Sequence, residues 1–169
     1  MRGVQQIKKI QTDDKKKFYN YLNLKLTGLI CEESDWLANL SNASALLWLL
    51  LEDINWAGFY LYKNGELVLG PFQGKPACTH IQIGKGVCGT AAKELKTQVV
   101  EDVNKFEGHI ACDSASKSEI VIPIVKNEKL VGVLDIDSPI LNRFDKEDAL
   151  YLEKFVDTLN KYMDWSKVI

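Results

Sequence analysis

The spacing of apolar residues divides the chain into helical and extended stretches. Apolar residues recur at helical intervals within residues 13–30 and again from Trp36 to Leu51, and both patterns predict amphipathic helices. Ser34 is the expected cap of the second helix. A short helix is predicted over residues 87–95, and a final helix runs from a cap at Asp145 to about Tyr162.

Between the helices the apolar period changes to two, which is the spacing of a β-strand. Six strands follow from this pattern, at residues 55–62, 66–72, 79–83, 97–100, 120–125 and 130–137. Asn64-Gly65 is a strong hairpin signal, and a second hairpin turns around Asn127-Glu128. Because the long strands are hairpin-linked, the predicted sheet is antiparallel with helices packed on it, and the fold class is α+β.

Composition and charge narrow the class of protein. The chain has 169 residues, of which 46% are hydrophobic and 26% charged, with a net charge of −2. We therefore expect one domain over residues 1–169, with a loose lead-in over residues 1–12. Basic residues are not in excess, so the charge does not indicate binding to nucleic acid or to an anionic membrane. The absence of a signal-peptide pattern predicts a cytoplasmic protein, in which cysteines are catalytic, metal-bound or buried more often than they form structural disulfides.

The segment from Cys78 to Cys112 holds three of the four cysteines and both histidines. We interpret these cysteines as redox groups acting on a small molecule. Two alternatives stay open. Cys78, His80, Cys88, His109 and Cys112 could bind zinc, although no pair has the usual C-x(2–4)-C spacing. The thiols could also be buried and inert.

Gly84, Gly86 and Gly89 match the pattern G-x-G-x-x-G. No buried parallel strand precedes them, so a dinucleotide site is disfavoured and a tight turn opening a helix is favoured. The amide groups at that helix start could bind an anion. The same positive helix end is expected to lower the pKa of Cys88.

Asp135 and Asp137 alternate with apolar residues and therefore share one face of a strand. They are either exposed acids or part of an acidic pocket in which one carboxyl group keeps its proton near neutral pH. The face of Glu119 stays open. A plain two-residue turn would put it opposite Ile136, whereas a one-residue bulge near Pro123 would bring it to the side of the aspartates.

Trp56 and Tyr60 share one face of the first strand, and spacing alone favours core packing for them over an aromatic pocket wall.

Five motifs in order then resemble the free methionine-(R)-sulfoxide reductases, which are single-domain proteins of the GAF fold. They are NWAGFY (55–60), GPFQGKPAC (70–78), IGKGVCGTAA (83–92), GHIACDSASKSEIVIPI (108–124) and GVLDIDSP (132–139). The resemblance covers about residues 13–162.

The resemblance implies a role for each matching residue. Cys112 corresponds to the catalytic nucleophile, Cys78 to the cysteine expected to resolve it, and Cys88 to an alternative or secondary resolving thiol. The substrate-binding residues it implies are Trp56, Tyr60, Glu119, Asp135 and Asp137.

The resemblance also implies how the protein works with other molecules. It implies no bound cofactor and no metal, free methionine sulfoxide as substrate, a homodimer, and thioredoxin with thioredoxin reductase and NADPH as the external reducing system. The alternative class is a GAF module that senses a small ligand without turnover.

Overall fold

The computed structural model describes residues 6–110 and 113–168. Residues 1–5 of the predicted lead-in and Cys112 of the predicted site lie outside the described residues. The α-helices are α1 (Lys15–Ile30), α2 (Trp36–Leu50), α3 (Gly86–Glu94) and α4 (Lys146–Tyr162). The strands are β1 (Trp56–Lys63), β2 (Glu66–Gly74), β3 (His80–Gln82), β4 (Gln98–Val100), β5 (Ser118–Lys126) and β6 (Lys129–Ser138).

The six strands form one antiparallel sheet in the order β3-β2-β1-β6-β5-β4. The predicted α+β class is confirmed. Helices α1, α2 and α4 pack together on one face of the sheet, and α3 contacts β5 and β6 from the other face. Among the helices that the structure describes, none combines the length and apolar character needed to cross a bilayer.

Local side-chain caps explain where the long helices begin. Asp14 accepts a hydrogen bond from the backbone N–H of Lys17 at the start of α1. Asp35, and not the predicted Ser34, caps α2, because its carboxylate accepts from the N–H of Ala38. The cap of α4 is Asp145, as predicted, and it forms a capping box with Asp148.

The two faces of β1 have different environments, as the period-two pattern predicts. Ala57, Phe59 and Leu61 belong to the core beneath the three long helices. Trp56 and Tyr60 belong to a second apolar cluster on the opposite face. The sheet therefore separates a conventional core from the face that carries the predicted site residues.

A bulge between β5 and β6 decides the face of Glu119. Ile124 lies opposite Gly132, but Val125 lies opposite Leu130, so β6 carries one extra residue, Val131. Beyond this point Glu119 lies opposite Asp137. Of the two registers left open by the sequence, the structure has the bulged one, with the extra residue in β6.

A second bulge lies between β1 and β2 and extends β2 past its predicted end. Tyr60 lies opposite Leu69, whereas Gly58 lies opposite Phe72. A Cβ atom on Gly58 would be 2.3 Å from the Cβ of Phe72, so only glycine fits at this crossing. The bulge brings Phe72 next to Trp56.

Candidate active site

A pocket of about 540 Å³, counted with its open mouth, lies on the face of the sheet that carries α3. Its walls come from β1, β5 and β6, from the start of α3, from residues 75–77 and from His109, Ile110, Asp113 and Ser116. The side chains of Trp56 and Tyr60 line it together with the three predicted acidic residues. A concave site with aromatic walls and a few converging polar groups is typical of small-molecule sites.

One wall of the pocket is a stack of aromatic rings. The ring centroids of Trp56 and Tyr60 are 5.8 Å apart with an interplanar angle of 21°, and Phe72 stacks on Trp56 at 5.1 Å. Each polar tip binds backbone, since the indole N–H of Trp56 donates to the carbonyl of Lys75 and the Tyr60 hydroxyl donates to the carbonyl of Cys78. Phe72 was not among the predicted site residues, because the bulge that places it next to Trp56 is not visible in the apolar spacing.

Glu119, Asp135 and Asp137 line the pocket beside these rings, on adjoining strands of the sheet. Asp137 lies opposite both Trp56 of β1 and Glu119 of β5. Glu119 and Asp135 are each only 6% exposed, and Oδ1 of Asp135 has no hydrogen-bond partner. Burial raises the pKa of all three carboxyl groups, to about 7 for Asp135, and the neighbouring carboxylates raise those of Glu119 and Asp137 further. The cluster can therefore hold a proton at neutral pH and has an unsatisfied acceptor for a cationic ligand.

Cys88 is the third residue of α3 and is a buried free thiol. Its Sγ is 3.9 Å from Oε1 of Glu119. Burial raises the pKa of Cys88 well above its ordinary value, and Asp135 and Glu119 raise it further. The expectation of a lowered pKa was therefore wrong, because desolvation and nearby carboxylates outweigh the partial positive charge of a helix start.

The other cysteines differ in state and place. Cys78, in the segment between β2 and β3, is disulfide-bonded. Cys31 is an exposed free thiol at the C-terminal end of α1. Cys112, the predicted nucleophile, lies outside the described residues.

The two histidines lie in different surroundings. His80 is exposed on β3, where its Nδ1 is 2.8 Å from Oε1 of Glu66, so the structure does not bring it to the pocket. His109 lines the pocket, with Nε2 3.7 Å from Oε2 of Glu119, and burial lowers its pKa. Within residues 6–110 and 113–168, a group that could hold a metal is formed by Cys88, Glu119 and Asp135, whose ligand atoms lie within 4.8 Å of one another.

Three polar residues that the sequence analysis did not select also line the pocket, namely Lys75, Asp113 and Ser116. Lys75 Nζ is 3.4 Å from Oδ2 of Asp113. The pKa of Asp137 is raised chiefly by burial, and the nearby Ser116 hydroxyl lowers it in part. Lys75 lies within the cysteine motif GKPAC, and Asp113 and Ser116 lie within CDSAS. This position was the sequence signal that could have identified them as site residues.

Comparison with known proteins agrees with this architecture. The family model of the GAF domain matches residues 33–162. A free methionine-R-sulfoxide reductase of Escherichia coli is 52% identical over 150 residues, which cover 89% of this chain and 91% of the relative. The chain thus has the fold of the GAF domain family.

Two solved structures give the same result. The reductase fRMsr of Staphylococcus aureus in complex with substrate is 57% identical, with a TM-score of 0.82, over 85% of this chain and 94% of that one. The free methionine-R-sulfoxide reductase of Neisseria meningitidis in complex with its substrate is 42% identical, with a TM-score of 0.89, over 94% and 95%. Within the GAF domain family, this chain belongs to the free methionine-R-sulfoxide reductases, which are oxidoreductases.

Proposed function

We propose that this chain reduces free L-methionine-(R)-sulfoxide to L-methionine, with Cys112 as the nucleophile. The observation that carries the proposal is the pocket that stacked Trp56 and Tyr60 line together with the buried carboxyl groups of Glu119 and Asp135. Aromatic rings suit the methyl-bearing sulfur end of the substrate. The partnerless oxygen of Asp135 suits its ammonium group.

The first step transfers oxygen from substrate to protein. The Cys112 thiolate attacks the sulfoxide sulfur, and the sulfoxide oxygen takes up a proton. Methionine leaves, and Cys112 is left as a sulfenic acid, so the sulfoxide is reduced and the cysteine is oxidised by two electrons. The net change is one thiol plus one sulfoxide giving one sulfenic acid plus one thioether.

The proton for this step comes from Glu119 or Asp137. Both carboxyl groups have a raised pKa because they are desolvated and lie near Asp135. Each can therefore carry a proton at neutral pH and still lie beside the substrate, as a general acid requires. Glu119 is the more buried of the two.

The second step forms a disulfide and releases water. The sulfenic acid of Cys112 condenses with the thiol of Cys78, and an external dithiol, which we propose is thioredoxin, then restores both thiols. Cys78 is favoured over Cys88 as the resolving residue because Cys78 is disulfide-bonded in the structure, whereas the surroundings of Cys88 disfavour a thiolate. Cys88 remains the secondary resolving thiol in this scheme.

The pocket favours a free amino acid over a methionine sulfoxide within a peptide. A peptide-bound residue lacks the ammonium group that Asp135 would bind, and its flanking chain would need an opening. The backbone amide groups near the start of α3 are suited to the substrate carboxylate. The methionine-(R)-sulfoxide unit within a peptide should therefore be a poor substrate.

A coupled assay tests the proposal. The protein is mixed with thioredoxin, thioredoxin reductase and NADPH, and the oxidation of NADPH is followed after addition of free methionine-(R)-sulfoxide. We expect turnover with the (R) epimer, and little or none with the (S) epimer or with an N-acetylated peptide substrate. No NADPH oxidation, together with tight binding of the ligand, would instead favour a sensing GAF module.

The proposal also includes the cellular compartment and the oligomeric state of the protein. A thioredoxin-dependent cycle needs a reducing compartment, so we place the chain in the cytoplasm. The family resemblance further implies a homodimer, which sedimentation equilibrium over a range of concentrations would test.

A further inference from the structure

The side chain of Asn55, which immediately precedes β1, connects the sheet to the turn at residues 113–116. Its Nδ2 donates to Oδ2 of Asp113 at 3.2 Å and to Oγ of Ser116 at 3.0 Å. Its backbone N–H donates to the carbonyl of Asp137 at 2.9 Å. Asn55 therefore contacts, at the same time, the turn and the strand that carries a pocket carboxyl group.

The turn has a defined internal structure that depends on Asp113. The Asp113 carboxylate accepts a hydrogen bond from the N–H of Ala115 at 2.9 Å, and the N–H of Ser116 donates to the Asp113 carbonyl. Lys75 forms an ion pair with the same carboxylate. These donors, the Ala115 amide first, lower the pKa of Asp113, so it is an ionised acceptor for the Asn55 amide.

The far side of the turn is also fixed to the pocket. The Ser116 hydroxyl lies close enough to the carboxyl group of Asp137 to lower its pKa. The N–H of Lys117 donates to the carbonyl of Ser138 at 2.7 Å. The turn is thus held by Asn55 just before β1, by Lys75 after β2 and by the end of β6, and in the sequence it directly follows Cys112.

We propose that Asn55 is a positioning residue for the oxygen-transfer step, because it fixes the turn 113–116 against Asp137. This inference rests on the proposed function, since the turn continues the chain from the proposed nucleophile. Asparagine is required because both hydrogens of its amide are used, on a carboxylate and on a hydroxyl oxygen. An aspartate at this position would have no donor and would face the carboxylate of Asp113.

A hydrogen-bond swap tests the role. Asn55→Asp should slow the formation of methionine in a single turnover, without external reductant, at least about tenfold. The double variant Asn55→Asp/Asp113→Asn reverses the bond, because the amide of the new residue 113 donates to the carboxylate at 55 and the Ser116 hydroxyl can also donate to it. The double variant should recover to within about threefold of the wild-type rate.

Two further measurements separate positioning from general damage. Affinity for free methionine, measured by titration calorimetry, should change less than about threefold in Asn55→Asp, while the single-turnover rate falls. Amide hydrogen exchange within residues 113–117 should accelerate in Asn55→Asp and return in the double variant. Asn64→Asp, at the exposed hairpin turn, is the matched control and should leave the rate and the exchange unchanged.

Each result decides the proposal. An Asn55→Asp rate equal to wild type, or a double variant no better than the single one, would overturn it. Asn55→Ala removes both donors without adding charge, so a normal rate in that variant would overturn it as well. A wild-type protein that forms no methionine would refute the reductase proposal and with it the positioning role, while exchange in residues 113–117 would still report whether Asn55 holds the turn.

Discussion

Replacement of Asp135 by asparagine should stabilise the ligand-free protein, although it removes a residue of the proposed site. The cause is the burial of Asp135, which raises its pKa from 3.8 to about 7. The folded protein therefore binds the Asp135 proton more tightly than the unfolded chain does. The contribution of this group to stability is most favourable below about pH 4 and declines as the pH rises towards 7.

The size of the effect follows from that interval. The pKa rises from 3.8 to about 7, an interval of about 3 pH units, and each pH unit corresponds to about 1.4 kcal/mol. The free energy of unfolding of the wild type should therefore lose up to about 4 kcal/mol between pH 4 and pH 8 through this group. An asparagine has no proton to lose, so the stability advantage of Asp135→Asn should grow from near zero at pH 4 to about 4 kcal/mol at pH 8.

The assay is urea unfolding of the reduced protein at several pH values between 4 and 8. In a thermal scan at pH 8, the same difference corresponds to an increase in melting temperature of roughly 10 °C for a chain of this length. Asp157→Asn is the matched control, because Asp157 is exposed on α4 and its replacement should change the free energy of unfolding by less than about 0.5 kcal/mol. Affinity for free methionine should fall at least about 30-fold in Asp135→Asn, since the ammonium group loses its buried partner.

Two results would refute the reasoning. Asp135→Asn could be less stable than wild type at pH 8, which would mean that the carboxyl group makes a net favourable contribution when ionised. The stabilities of the two proteins could also run parallel from pH 4 to pH 8, which would mean that Asp135 titrates as it does in the unfolded chain.

Three other variants test the site. Glu119→Gln should lower kcat about 10²- to 10⁴-fold with methionine affinity retained, because the amide cannot donate an acidic proton; a normal kcat in steady-state kinetics would assign the donor role elsewhere. Deletion of Val131 should keep activity and cost about 1.5–3 kcal/mol in urea unfolding, because it removes only the extra, buried residue of the bulge and leaves Glu119 opposite Asp137; a folded but inactive deletion variant would contradict the register argument. Cys88→Ser should keep more NADPH-coupled turnover than Cys112→Ser, and an equal loss would place both thiols in the same step.

The secondary structure could be predicted from the sequence because each element carries a local signal. The α4 helix has its cap at Asp145, and the first hairpin has Asn64-Gly65 with positive φ at both residues. The alternation in β1 likewise separates Trp56 and Tyr60 from the core face. These signals depend on neighbouring residues alone, so one sequence is enough to read them.

The details that decide the site are set by contacts between distant residues. No local sequence signal marks the bulge at Val131. The register of β6 is set by its pairing with β1, which Gly132 approaches so closely that a Cβ atom there would lie 2.3 Å from the Tyr60 carbonyl oxygen. The pKa of Cys88 was predicted with the wrong sign, because the helix start is local whereas the carboxyl groups beside it come from β5 and β6. The spacing around Asn55 did not indicate a role at the site, because its hydrogen-bond partners Asp113 and Ser116 follow more than 50 residues later in the chain.

The crowding of three carboxyl groups in one pocket makes ligand binding a proton-exchange reaction. Burial raises the pKa of Asp135 to about 7, so its carboxyl group holds a proton in part of the ligand-free protein near neutral pH. An arriving ammonium group would favour the ionised form. The displaced proton passes to the solvent. The heat measured on titration with methionine should consequently depend on the ionisation enthalpy of the buffer, and the slope of that dependence would count the protons released.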